Sequence, residues 1–192
     1  ESLFNFQITG SNLVAAFAKN TGEYSLISYD INSGIKNWET IDISGQIKDI
    51  EISKGEIFIL DWENSKSRLT RFDLNNGSFK NTQEIDDFYY KVSPGDEGVL
   101  LVATDNAIYL DRNNLSNNLS SISFDSDNIV RSAEFPQLQS SFINGKPVIG
   151  SVGNNKYTTF YISKNNNKYE IKTLINDEIS VLPDSNLFIN YK

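Results

Sequence analysis

Apolar and polar positions alternate in short runs along the whole chain, and the runs recur in a fixed order. The first kind alternates: Phe4–Ile8, Ile47–Ile52, Tyr89–Ser93 and Phe135–Gln139. The second is more apolar, with few charges: Leu13–Ala18, Glu56–Leu60, Val99–Ala103 and Val148–Val152. The third alternates again: Ser25–Tyr29, Arg68–Phe72, Ala107–Leu110 and Thr158–Ile162. The fourth is more polar: Asn37–Ile41, Thr82–Ile85, Ser121–Phe124 and Glu170–Leu174. A period of two belongs to a strand with one buried face, and a short continuous apolar run to a strand buried on both. Apolar residues at i, i+3, i+4 and i+7 are sustained nowhere, so no helix is expected.

Between the third and fourth runs lies a repeated turn. Tyr29-Asp30-Ile31-Asn32-Ser33-Gly34 and Phe72-Asp73-Leu74-Asn75-Asn76-Gly77 share one pattern and stand 43 residues apart. Leu110-Asp111-Arg112-Asn113-Asn114 is a degenerate third copy, and Ile162-Ser163-Lys164-Asn165-Asn166 a looser fourth. Asp and Asn side chains bond nearby backbone N–H groups, and Gly supplies a positive φ. Each unit therefore reads as four strands, with the turn joining the last two.

A unit of about 40–50 residues is the spacing of β-propeller blades, each a four-stranded sheet that buries its faces only by stacking. The expected fold is all-β: a partial propeller of four four-stranded blades over 3–44, 45–86, 87–129 and 130–175, within one segment. Residues 176–192, with strands at Ile179–Leu182 and Asn186–Asn190, read as the start of a fifth blade. A β-sandwich is the alternative. The chain has no Met and begins at Glu1, as expected of a segment cut from a longer protein.

Composition narrows the chemistry. The chain is 192 residues long, with 39% hydrophobic and 12% aromatic residues, enough for a core. The formal charge of −8 disfavours nucleic acid and anionic lipid. No apolar run is long enough to span a bilayer. Cysteine and histidine are both absent. That removes disulfides, thiolate and imidazole metal sites, and the Ser-His-Asp and Cys-His nucleophile arrangements. No catalytic residue, cofactor site or metal site is expected.

The segment Tyr29-Asp30-Ile31-Asn32-Ser33-Gly34-Ile35-Lys36-Asn37-Trp38 resembles the blade signature of pyrroloquinoline-quinone-type propellers. In that family the Trp of the outer strand docks on the neighbouring blade. Here the first unit keeps the Trp, and Phe79 falls near the slot in the second. The quinone-binding residues of the family have no match, so no bound quinone is implied. Strand order and loop placement are also similar to the propeller family of the largest subunit of the endoplasmic reticulum membrane protein complex. The likeness rests on Ser28-Tyr29-Asp30-Ile31-Asn32-Ser33-Gly34 followed by Ile50-Glu51-Ile52. It implies a non-catalytic lumenal scaffold within a complex that inserts membrane proteins. The partners would be other protein subunits or further blades, in the endoplasmic reticulum lumen or another extracytoplasmic compartment. The alternatives are a carboxylate- or cation-dependent propeller hydrolase and a bacterial extracytoplasmic binding lipoprotein.

Several residue groups carry candidate chemistry. Trp62 and the run Phe88-Tyr89-Tyr90 are candidate partner contacts, because aromatics are enriched among binding hot spots, although inter-blade packing would use them equally well. Asn76, Asn114 and Asn118 each open an Asn-x-Ser sequon and are candidate glycosylation sites, in a composition that yields such triplets by chance. Asp30 and Asp73 resemble the start of a calcium loop, and counting from Asp73 places Glu84 at the closing position. A plain turn explains both more simply. Asp86-Asp87 and Asp125-Ser126-Asp127-Asn128 are acidic clusters suited to carboxylate-pair chemistry or to a solvated loop. Gly145-Lys146 lacks the spacing of a phosphate loop.

Overall fold

The computed structural model describes residues 2–40, 43–103, 106–123, 137–153, 156–166 and 168–176. Its sixteen strands are β1 (Ser2–Thr9), β2 (Asn12–Ala18), β3 (Tyr24–Asp30), β4 (Lys36–Glu39), β5 (Gln46–Ser53), β6 (Glu56–Glu63), β7 (Lys66–Asp73), β8 (Phe79–Asp86), β9 (Tyr89–Pro94), β10 (Gly98–Ala103), β11 (Asn106–Asp111), β12 (Asn118–Ser123), β13 (Gln137–Ile143), β14 (Lys146–Gly153), β15 (Lys156–Asn165) and β16 (Lys168–Asn176). Each of the sixteen strands expected in the four units overlaps one of these. The described residues contain no helix, and so none long and apolar enough to cross a membrane. The strands pair in chain order into four antiparallel sheets: β1–β4, β5–β8, β9–β12 and β13–β16. The expected strands of a fifth unit, Ile179–Leu182 and Asn186–Asn190, lie outside the described residues.

The repeated turn has one construction in three sheets. The Asp30 carboxylate accepts the N–H groups of Asn32 and Ser33, and its backbone closes the loop through Gly34 N–H and Ile35 C=O. Asp73 repeats this with Asn75, Gly77 and Ser78. Gly34 and Gly77 stand at φ 70° and 69°, the left-handed region in which a Cβ is strained. At Asp111 the carboxylate again holds the next turn, through Asn113 and Asn114, but the loop closes one residue later, on Asn117. A bulge precedes each of these turns, at Ser28/Tyr29, Arg71/Phe72 and Tyr109/Leu110, and adds local twist. The fourth copy differs from expectation. β15 runs through Ser163 to Asn165, which pairs with Lys168, and Asn166 takes φ 47°. Serine lacks the carboxylate that would stop the strand earlier.

The chain divides into two compact units, Glu1–Val92 and Ser93–Lys192. In the first, sheet β1–β4 packs on sheet β5–β8 through Val14, Ala16, Leu26, Ile43, Ile47, Ile50, Ile57, Ile59, Phe72 and Leu74. Trp38 crosses this interface: its indole N–H donates to Leu74 C=O at 2.8 Å, and its ring lies against Gly77. Phe79 does not hold the equivalent position in the next sheet. Trp38 pairs with Ser28 just inside the bulge, and the matching partner of Arg71 is Asn81. Phe79 sits outside the bulge, opposite Phe72, and is 60% exposed. On β1 the apolar set Phe6 and Ile8 faces outward, while the opposite face carries Gln7, whose amide donates to Ile50 C=O.

In the second unit β10 and β11 are buried almost throughout, with Phe160, Ile162 and Ile171 from β15 and β16. Tyr109 is fully buried 5.4 Å from Tyr169, and Ile171 N–H donates to Ser120 Oγ. Arg112 is buried with Nη1 on Gly95 C=O at 2.7 Å.

Candidate interaction surface

Three of the four aromatic candidates come together in the first unit, where the β6–β7 hairpin meets the connection from β8 to β9. The Trp62 and Phe88 rings pack edge to face at 4.8 Å, and Phe88 stands 6.4 Å from Tyr90. All three are half-buried. Tyr89 does not join them. It is 3% exposed, and its N–H donates to the buried Ser67 hydroxyl. Strand alternation sends neighbours to opposite faces, so Tyr89 goes to the core and its neighbours to the surface.

Two features of this surface have no clear sequence signal. Lys48 is the bulged residue of β5, between Ile47 and Asp49, and its ammonium lies 4.9 Å from the centre of the Phe88 ring. Asp87 stands at φ 105°, a costly conformation for a residue with a side chain. Its carboxylate accepts the Phe88 N–H at 2.8 Å, and its carbonyl accepts the Ser67 N–H at 3.3 Å. The strained residue thereby holds Phe88 against Trp62.

Beneath this surface run buried ion pairs. Asp61 is fully buried; its Oδ2 accepts Arg68 Nε at 3.2 Å, and Oδ1 lies 3.0 Å from Nη2 of the same guanidinium. Arg68 also meets Glu63 and Ser44. Burial raises the Asp61 carboxyl to about 6, against the lowering effect of Arg68. Gly45 lies so close that a Cβ there would stand 2.0 Å from Asp61 Oδ1. Asp49 accepts Lys91 Nζ and Val92 N–H, both at 2.9 Å, and burial raises it to about 6 as well. Both carboxylates are committed to internal cations, so each acts as a structural tie.

The remaining candidates fall elsewhere. Asp73 Oδ1 is spent on the turn, and Lys80 Nζ lies 3.3 Å from Oδ2. Glu84 pairs across from Arg68, at the far end of the hairpin from Asp73, so the two cannot close one calcium shell. Among the described residues no three Asp or Glu converge to hold a metal. Asp86 is 95% exposed and pairs with Lys66 at 3.7 Å. Asp125 and Asp127 lie outside the described residues. The sequon residues Asn76, Asn114 and Asn118 are exposed, and their side-chain oxygens accept from Ser78 N–H, Ser116 hydroxyl and Ser120 N–H. Gly145-Lys146 closes the β13–β14 hairpin, where the Gly145 carbonyl accepts the Asp96 N–H. A cleft of about 480 Å³, lined by Thr40, Arg68, Thr70, Gly77, Phe79 and Thr82, opens between β4 and the β7–β8 pair.

No family model matches the chain, and no curated protein matches it. Solved structures do. Hsv2 of Kluyveromyces lactis aligns with a TM-score of 0.63 at 11% identity, over 90% of this chain and 61% of that one. The N-terminal domain of Nup159 aligns at 0.51 and 8%, over 90% and 48%. The computationally designed protein Ika8 aligns at 0.59 and 12%, over 83% and 45%. The chain thus spans about half to three-fifths of the length of these structures. Hsv2 and the Nup159 domain are WD40-like β-propellers. With its four antiparallel meander sheets, this chain has the β-propeller fold.

Proposed function

We propose that this chain is a non-catalytic propeller scaffold that binds other protein subunits, and that Trp62, Phe88 and Tyr90 are among its binding residues. The observation that carries this reading is the surface cluster of three aromatics, held in place by the strained Asp87. Strain in a well-packed chain marks a site where a particular geometry is kept. Aromatic surface left half-open is stabilised by about 25 cal/mol for each Å² that a partner covers. Fold analogy points the same way: a solved structure has Dbp5 bound to Nup159. The finer reading is the lumenal part of a membrane-protein insertion complex, in the endoplasmic reticulum or another extracytoplasmic compartment. Its support is the sequence resemblance and the exposure of the three sequon asparagines on or beside turns.

The binding role is tested by purifying native assemblies through a tagged copy of the full protein. Trp62→Ala and Phe88→Ala are expected to lose a stoichiometric partner subunit while the circular dichroism of the chain stays unchanged. Retention of the same assembly by both variants refutes the role. The compartment is tested by glycosidase treatment and peptide mass analysis of the protein from its own cells. Glycan on Asn76, Asn114 or Asn118 is expected, and its absence at all three counts against the lumenal placement.

A further inference from the structure

The aromatic cluster already holds a positive charge. Lys48 Nζ sits over the Phe88 ring, steadied by Gln46 Oε1 at 2.7 Å. Burial pulls the Lys48 pKa below the ordinary lysine value, so the ring surface carries a partly desolvated cation. The rim is acidic. Glu84 and Asp86 have side chains 63% and 95% exposed, Asp87 is exposed beside them, and Lys66 is shared between the first two at 3.3 and 3.7 Å. Glu63, next to Trp62, is 29% exposed and meets Arg68, which Asp61 also engages. Around the cluster Glu63, Glu84, Asp86 and Asp87 stand against Lys48, Lys66 and Arg68, four carboxylates to three cations, on a chain whose formal charge is −8.

Aromatic faces attract cations, and a guanidinium stacks on them especially well. Exposed carboxylates next to such faces steer a positive partner in and repel a negative one. We propose that this surface takes a basic, extended segment of a partner protein. An arginine or lysine side chain lies against Trp62 and Tyr90, and neighbouring positive charges meet Asp86 and Asp87. This inference rests on reading the cluster as a docking surface.

The test uses the full 192-residue chain and a labelled arginine–glycine–serine peptide, with counterparts carrying glutamate or glutamine at each arginine. Fluorescence anisotropy is expected to show the arginine peptide binding about tenfold or more tighter than the glutamine one, and weakening as salt rises. Phe88→Ala should weaken it by about fivefold or more. So should the pair Asp86→Asn and Asp87→Asn, in which Asn keeps the oxygen that holds Phe88 N–H and tolerates positive φ. This pair removes charge while keeping the oxygen that holds the Phe88 N–H, and so covers the case in which Phe88→Ala fails to fold. If the glutamate peptide binds best and Phe88→Ala abolishes it, the docking surface stands and the basic partner is overturned. If no peptide binds, or binding ignores Phe88, the basic partner is overturned, and the docking role is decided by the assembly test on Trp62→Ala and Phe88→Ala. Concentration-dependent dimerisation that Phe88→Ala abolishes would make the occupant a second copy and overturn the basic partner.

Discussion

Gly34 and Gly77 close the same turn at the same φ, yet alanine at the two positions should have different costs. At Gly34 a new Cβ meets nothing within 4 Å. Gly34→Ala therefore costs only the left-handed strain of about 1–2 kcal/mol, offset in part by a less flexible unfolded chain. At Gly77 the new Cβ falls 2.6 Å from Trp38 Cε3, 2.8 Å from Cδ2 and 3.1 Å from Thr40 Cγ2. Carbon atoms prefer about 3.5–4.0 Å, so the indole must move by about 1 Å. Such a shift strains the Trp38 N–H bond to Leu74 C=O, worth about 1 kcal/mol, and disturbs the packing between the two sheets, at about 1–3 kcal/mol. Gly77→Ala should thus exceed Gly34→Ala by about 2 kcal/mol. Urea unfolding followed by circular dichroism measures both. In a Trp62→Phe background Trp38 is the sole tryptophan, and its fluorescence should change with Gly77→Ala but not with Gly34→Ala. In a Trp38→Leu background most of the excess should vanish, because the clashing ring is gone and only Thr40 Cγ2 stays close. Equal costs within about 0.5 kcal/mol, or an excess that survives undiminished in Trp38→Leu, would refute the reasoning.

Two further stability predictions follow from buried charge. Asp61 is raised to about 6 from 3.8, so the folded chain holds a proton in a range where the unfolded chain has lost it. The group's contribution is then fully present below pH 3.8 and is lost as pH rises through 6. Lowering pH from 7 to 4.5 should favour wild type by about 2 kcal/mol relative to Asp61→Asn, with exposed carboxylates cancelling in the difference. A stability difference between the two that stays flat with pH would show that Asp61 ionises normally. In the second unit, Arg112→Met should cost about 1–3 kcal/mol, because the Gly95 carbonyl loses its buried donor; a neutral result in urea unfolding would show that water replaces it.

Local chemistry made the strands and turns readable. The Asp carboxylate, the two or three N–H groups it accepts and the Gly that follows lie within six residues, so the turn is written in a short stretch of sequence. The same holds for the apolar runs, because strand period and burial are properties of neighbours. The aromatic candidates were only partly readable: composition picked out Trp62 and Phe88-Tyr89-Tyr90, but the strand phase that buries Tyr89 and the bulge that lifts Lys48 onto Phe88 leave no distinct signal.

The amino-acid sequence by itself determined where this chain turns and where it extends, and hence the repeated four-strand unit. Only the tertiary structure decided what each repeated position touches. Gly34 faces open space and Gly77 faces an indole; Trp38 docks on the next sheet, while its counterpart is Asn81 and not Phe79. The reason is reach. A turn is set by residues a few positions apart, whereas Trp38 and Leu74 are 36 positions apart and meet only when one sheet is laid upon another.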